Sequence, residues 1–248
     1  MTQPIISWYE QTNSIENEVK GTVQYGTVDA DSDSPQKTFY IWNNRNGDTD
    51  VSKMEEVTFT TRDALGGTGD TPGNVVEAVR DNWFHVRVDS LDEVEFTPVG
   101  RGGDGTINPS GVKAVGTTGS TTNPNLDNAQ DWQASISLEK DMFVKPLSDN
   151  GFIYRVTNSG TTGGSEPEWG LNEGDVVTDG TVEYVAVLIE KTPDSQEILG
   201  VQNSVSEDGS NAENAGGNFI KLTVYAEVPI TASAGLNRLQ QRISYRYV

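Results

Sequence analysis

Residues 151–187, GFIYRVTNSGTTGGSEPEWGLNEGDVVTDGTVEYVAV, alternate apolar runs with turn-rich stretches. The first run, Phe152-Ile153-Tyr154-Arg155-Val156, is rich in aromatic and β-branched residues, which suit a pleated, half-buried surface. A Gly/Thr loop over 159–164 follows, then the turn Ser165-Glu166-Pro167-Glu168-Trp169 and the pair Asp179-Gly180. A second run, 182–189, closes the unit. So small a unit buries little core unless large rings fill it, and Trp169, Tyr154 and Tyr184 are placed to do so. A sugar-stacking platform is the other use for exposed rings, and it makes the same three residues candidate glycan contacts. If the rings form a plug, Glu166 and Glu168 are rim residues without a chemical role.

The aromatic strand, the loop Gly160-Thr161-Thr162-Gly163, Ser165-Glu166-Pro167-x-Trp169 and Thr178-Asp179-Gly180-Thr181-Val182 together resemble a small β-module. That module recurs in structural proteins and fibres of tailed phages. It usually carries Trp after Thr-Val-x, where this chain has Tyr184, and either ring can fill a small core. The resemblance implies a virion structural protein and no reaction. Shorter motifs at Ile6-Ser7-Trp8-Tyr9, Tyr40-Ile41-Trp42-Asn43-Asn44, Asp50-Val51-Ser52 and Val228-Pro229 ahead of Arg242-Ile243-Ser244-Tyr245 are similar to structural proteins of the same viruses.

Composition agrees with a β-rich chain. In 248 residues, Gly 26 and Pro 10 among many Thr, Ser and Asn suit short strands joined by turns. The length allows one large all-β domain or two smaller ones. No apolar run is long enough to cross a bilayer and no signal-peptide pattern opens the chain, which predicts a soluble protein made in the host cytoplasm without membrane insertion. Cys 0 removes disulfides, thiolate nucleophiles and zinc–thiolate sites. Lys+Arg 17 against Asp+Glu 37 gives −20, which argues against a nucleic-acid partner. The acidic excess lies before residue 190, and the last stretch is nearly neutral, with Arg238, Arg242 and Arg246 near its end. Three readings fit this balance: a solvated acidic surface, a host of high internal salt, or docking of Arg242 and Arg246 on an acidic neighbouring subunit.

Working outward from the module, the first hundred residues read as strands. Residues 38–42 are a run of β-formers stopped by an Asn/Gly turn, and 57–61 alternate. Phe84, Val86 and Val88 fall on one face, with Trp83, His85 and Arg87 on the other. A short helix fits at 75–79. Residues 99–131 are Gly-, Thr-, Asn- and Pro-rich and read as a long loop or arm. After a polar stretch at 201–217, Ile220, Leu222, Val224, Ala226 and Val228 alternate along one strand. Leu239, Ile243, Tyr245 and Tyr247 alternate along another, opposite Gln240, Arg242, Ser244 and Arg246. A lone hairpin is marginal in water, so these two strands need the N-terminal set. The expected fold is therefore an all-β, discontinuous β-sandwich, Ig-like or jelly-roll-like, over 1–98 and 192–248, with a small β-module inserted at 132–191.

Catalytic signatures are missing. His85 is the single histidine, so histidine triads and multi-histidine metal sites are excluded. No P-loop, Gly-x-Ser-x-Gly elbow or dinucleotide fingerprint occurs. Asp29-x-Asp31-x-Asp33 begins like a calcium loop, but Ser34 stands where Gly is needed and Tyr40 where the bidentate Glu is needed, which leaves a solvated acidic turn. The chain is thus expected to be a non-catalytic virion component without cofactor or metal, in the capsid surface or in the tail or baseplate. Its expected partners are other virion proteins, further copies of itself and, where it touches the host, a surface glycan. The competing class is a carbohydrate- or receptor-binding module of a tail fibre.

Overall fold

The computed structural model describes residues 2–103 and 105–247. Strand accounts for 36% of the chain and helix for 8%, so the protein is all-β. It divides into two compact units: residues up to Thr121 together with those from Thr192 onward, and Thr122–Lys191. The first unit contains β1 (Ile6–Glu10), β2 (Lys37–Asn43), β3 (Met54–Asp63), β4 (Phe84–Val88), β5 (Thr97–Val99) and β6 (Lys113–Ala114). The second contains β7 (Gln130–Asp131), β8 (Phe143–Lys145), β9 (Phe152–Asn158), β10 (Val176–Asp179) and β11 (Val182–Leu188). The chain then re-enters the first unit with β12 (Phe219–Val228) and β13 (Leu239–Tyr247).

Two antiparallel sheets form the first unit, in the orders β1-β2-β12-β4-β5 and β13-β3-β6. β12 is central because its alternation supplies an unbroken apolar face: Ile220, Leu222, Val224, Ala226 and Val228 are all buried. They pack with Phe39 and Ile41 of β2 and Phe84, Val86 and Val88 of β4, against Met54, Val57 and Phe59 of β3. This two-layer core is a β-sandwich. Each such side chain, fully buried, contributes on the order of 1.5–3 kcal/mol.

β13 departs from expectation in degree. Its alternation is present, but Leu239, Ile243 and Tyr245 are only half-buried and Tyr247 is 43% exposed. The reason is position: β13 pairs with β3 alone, so its inner face overhangs the margin of the core.

Residues 99–131 are mostly irregular, yet they do not form an arm. Val99 and Val115 are fully buried in the first unit, and Ala129 is buried after the chain has passed into the second. Low apolar content conceals this because backbone contacts do the holding. Gly100 N–H donates to the Gly111 carbonyl at 3.0 Å, and Gly111, at φ +66°, is so close that a Cβ would lie 2.3 Å from the Gly100 oxygen. The polar stretch 201–217 is held likewise. Asn203 Nδ2 donates to the Asn44 carbonyl at 2.7 Å, and Asn218 Nδ2 to that of Val201 at 2.7 Å. Arg45 lies over the Tyr9 ring and donates to the Ser206 carbonyl at 2.8 Å.

The second unit is built on a five-stranded sheet, β10-β11-β9-β8-β7, with only β7 and β8 parallel, beside a two-residue antiparallel pair of Ser137–Leu138 with Gly160–Thr161. Its core holds Trp132, Leu138, Val144, Phe152, Tyr154, Val156, Val177, Val182, Tyr184 and Ala186.

Candidate functional site

The three rings proposed for glycan contact belong together. Strands β9 and β11 pair in the register Val156–Tyr184 and Tyr154–Ala186, which sets Tyr154 and Tyr184 on one face. Pro167, with its restricted φ, turns the chain so that Trp169 reaches both. Its ring centroid lies 4.2 Å from that of Tyr154 and 5.4 Å from that of Tyr184. Tyr154 and Tyr184 are fully buried, however, and Trp169 partly so. A sugar cannot stack on a ring face that protein already covers, so glycan contact through Tyr154 and Tyr184 is corrected: they are the unit's core. Trp169 offers at most a partial edge.

The polar atoms around this plug serve the fold as well. The Tyr154 hydroxyl donates to the Gly170 carbonyl at 2.7 Å and accepts from Asn150 Nδ2 at 2.8 Å. Burial raises its pKa, as it does for Tyr184, where the nearby Asp179 charge adds to the effect. Glu166 is more than a rim residue. Its Oε1 accepts from Trp169 Nε1 at 2.9 Å and from Leu147 N–H at 2.8 Å.

Sequence reading missed Asp179 as a structural acceptor. This buried carboxylate takes one bond from Trp132 Nε1 and one from Gly163 N–H, each 2.7 Å. A Cβ at Gly163 would lie 2.5 Å from Asp179 Oδ1, so any larger residue would push the carboxylate from this position. The Gly/Thr loop and the Asp-Gly turn of the motif are therefore two halves of one contact.

Arg242 and Arg246, the proposed docking pair, lie on the outer face of β13 with Gln240 and Ser244, as the alternation requires. Their surroundings differ. Arg246 Nη2 is 2.8 Å from Glu55 Oε2 and 3.4 Å from Glu56 Oε1, and Lys53 bridges Glu55 to Glu197 at 3.1 and 2.6 Å. Arg246 is thus neutralised within its own sheet, which corrects its role as a free docking cation. Arg242 has no ion pair among the described residues. It lies diagonal to another cation instead: the Arg62 guanidinium of β3, opposite Gln240, is held below its ordinary pKa by burial first and the Arg242 charge second. Arg62 Nη1 is spent on the Gly100 carbonyl at 2.6 Å and the Thr61 carbonyl at 3.0 Å.

The remaining sequence candidates are structural. His85 stacks on Tyr225 at 5.2 Å, with Nδ1 3.1 Å from the Trp83 carbonyl oxygen. The acidic turn ends in the short strand Ser32–Asp33, which pairs with Glu227 and Val228 of β12. Among the described residues, no group of three or more His, Cys, Asp or Glu side chains is arranged to hold a metal ion. Comparison with protein-family models, curated proteins and solved structures finds no match.

Proposed function

We propose that this chain is a non-catalytic structural subunit of a tailed-virus particle, exposed on the capsid or built into the tail or baseplate. The observation that carries this reading is the use the chain makes of its module residues. The Ser165–Trp169 turn and the Thr178–Val182 turn, which resemble the phage β-module, direct Trp169, Asp179 and Tyr184 into packing and hydrogen bonding. A subunit whose conspicuous residues build shape works by presenting rigid surfaces to neighbours. The acidic excess of −20 keeps free subunits apart and soluble until specific contacts form.

The test is biochemical. Virus particles purified from the source culture should contain this protein at a fixed ratio to the major capsid protein, measured by quantitative mass spectrometry. Antibodies to the recombinant chain should decorate particles in electron micrographs, and the position of the label separates capsid from tail. Absence from extensively purified particles would end the proposal. Glycan-array binding by the recombinant protein that is lost in Trp169→Ala would favour the receptor-binding alternative.

A further inference from the structure

Among the described residues the sheet edges are short or flanked, with one exception. In the first unit β1 is flanked by the Tyr9–Glu18 bridge and by Val19 N–H donating to the Trp8 carbonyl at 2.8 Å. β5 is three residues long and contains Pro98, and β6 has two residues. The second unit ends in β10, of four residues, and β7, of two. β13 is different. It is nine residues long, pairs with β3 on one side, and on the other has no strand partner and no backbone hydrogen bond among the described residues.

Most of the usual edge defences are also missing from β13. It has no proline, no lysine and no inward-pointing charge, and its only charges are Arg242 and Arg246 on the outer face. The register shift between Ser244 and Arg246 comes from an extra residue on β3, where Glu56 has φ +52°, so β13 runs regularly past it. Such an edge is a template for another strand.

We infer that β13 pairs with β13 of a second copy, antiparallel about a two-fold axis at Ile243, joining two three-stranded sheets into one. This inference rests on the assembly reading above and specifies one contact within it. The charges select the register. Antiparallel pairing must oppose residues of the same face, which leaves registers differing by two residues. Centred on Ser244, Arg242 would oppose Arg246; centred on Arg242, it would oppose itself. Centred on Ile243, all nine residues pair, Arg242 opposes Ser244 and Arg246 opposes Gln240. Arginines then meet only diagonally, at about 7–8 Å, and Arg246 is already neutralised by Glu55 and Glu56. On the inner face Leu239 opposes Tyr247, giving that exposed ring an apolar partner, and Ile243 opposes Ile243.

The chain has no cysteine, so an introduced one reports on a single contact. Opposed residues lie about 4.5 or 5.5 Å apart at Cα, depending on the hydrogen-bonding class of the pair, and both distances suit a disulfide. Ile243→Cys should form a disulfide dimer under mild oxidation. Gln240→Cys should not, because its copies would be about 20 Å apart along the strands. Sedimentation of the parent across a dilution series should show a monomer–dimer equilibrium that added salt does not weaken. Ser244→Arg sets an arginine against Arg242 twice and should loosen the dimer about tenfold, whereas Ser244→Asp should tighten it. Ser244 is exposed, so these two variants decide the matter even if Ile243→Cys folds poorly. A monomer at every concentration, a dimer indifferent to both Ser244 changes, or preferential crosslinking through Gln240→Cys overturns the pairing. A monomeric protein found in particles sinks the edge pairing alone; a dimer absent from particles sinks the virion reading alone.

Discussion

The inserted unit and the last strand of the main unit use their distinctive residues in opposite ways. In the insert, Tyr154, Tyr184 and Asp179 are turned inward, and the motif that stands out in the sequence is consumed by its own fold. In β13 the side chains are ordinary, half-buried or exposed, and one whole backbone edge has no partner among the described residues. A small unit needs its largest rings to obtain any core, while a strand at the margin of a large sandwich can leave groups unspent. Conspicuous residues therefore mark where folding energy is concentrated, and the unspent edge is the better place to look for an interaction.

The largest effect that sharpens this contrast is Tyr184→Ala. Removing a fully buried ring of this size costs about 3–5 kcal/mol. Hydrogen exchange should show β9 to β11 losing protection while β12 keeps it. The matched change Ile243→Ala removes a half-buried side chain and should cost on the order of 1–2 kcal/mol. Equal losses at the two sites would break the comparison.

Acid should act next, through Asp63 at the end of β3. This buried carboxylate accepts from Gly67 N–H and Leu65 N–H at 2.9 Å each and from Gly69 N–H at 3.2 Å. Those bonds, Gly67's foremost, hold its pKa below the ordinary carboxylate value. Because the folded value is depressed, the stabilisation is complete above the unfolded value of about 3.9 and is lost as pH falls from there through the folded value. The melting temperature of Asp63→Asn should therefore lie well below the parent's near neutrality, and the gap should close in acid. A gap that stays constant across that range would show that Asp63 is not the titrating support.

The smallest effect separates the two arginines. Arg246→Gln gives up partly exposed ion pairs worth about 0–1 kcal/mol, and its cost should shrink with salt. Arg242→Gln gives up no ion pair and relieves Arg62, so the melting temperature should hold or rise slightly. Equal destabilisation by the two changes would mean that Arg242 has an acidic partner within the subunit.

Much of the fold was legible because burial has a period. The two-residue alternation of Ile220 to Val228 and of Phe84 to Val88 predicts the inward faces that are found. Turn chemistry likewise marked the Asp179–Gly180 turn and the loop before it. Legibility failed where the holding force lies in the backbone or in a distant partner. Val115 sits alone in a Gly/Thr-rich stretch, and no local pattern announces that it fills the main core. The site reading failed for a related reason. Tyr154, Trp169 and Tyr184 have the same composition whether they face a sugar or one another, and only the β9–β11 register and the Pro167 turn decide which.

The sequence by itself determined an all-β protein, two strand-rich regions separated in the chain, an acidic surface and the absence of thiol or multi-histidine chemistry, because composition, period and turn residues act locally. Tertiary structure alone decided that Arg246 meets Glu55, 191 positions away in the chain, that the Arg242 charge bears on Arg62, and that β13 has one strand partner among the described residues instead of two. Pairing across a sheet is set by which strands find each other, and charge balance and edge exposure exist only after they have.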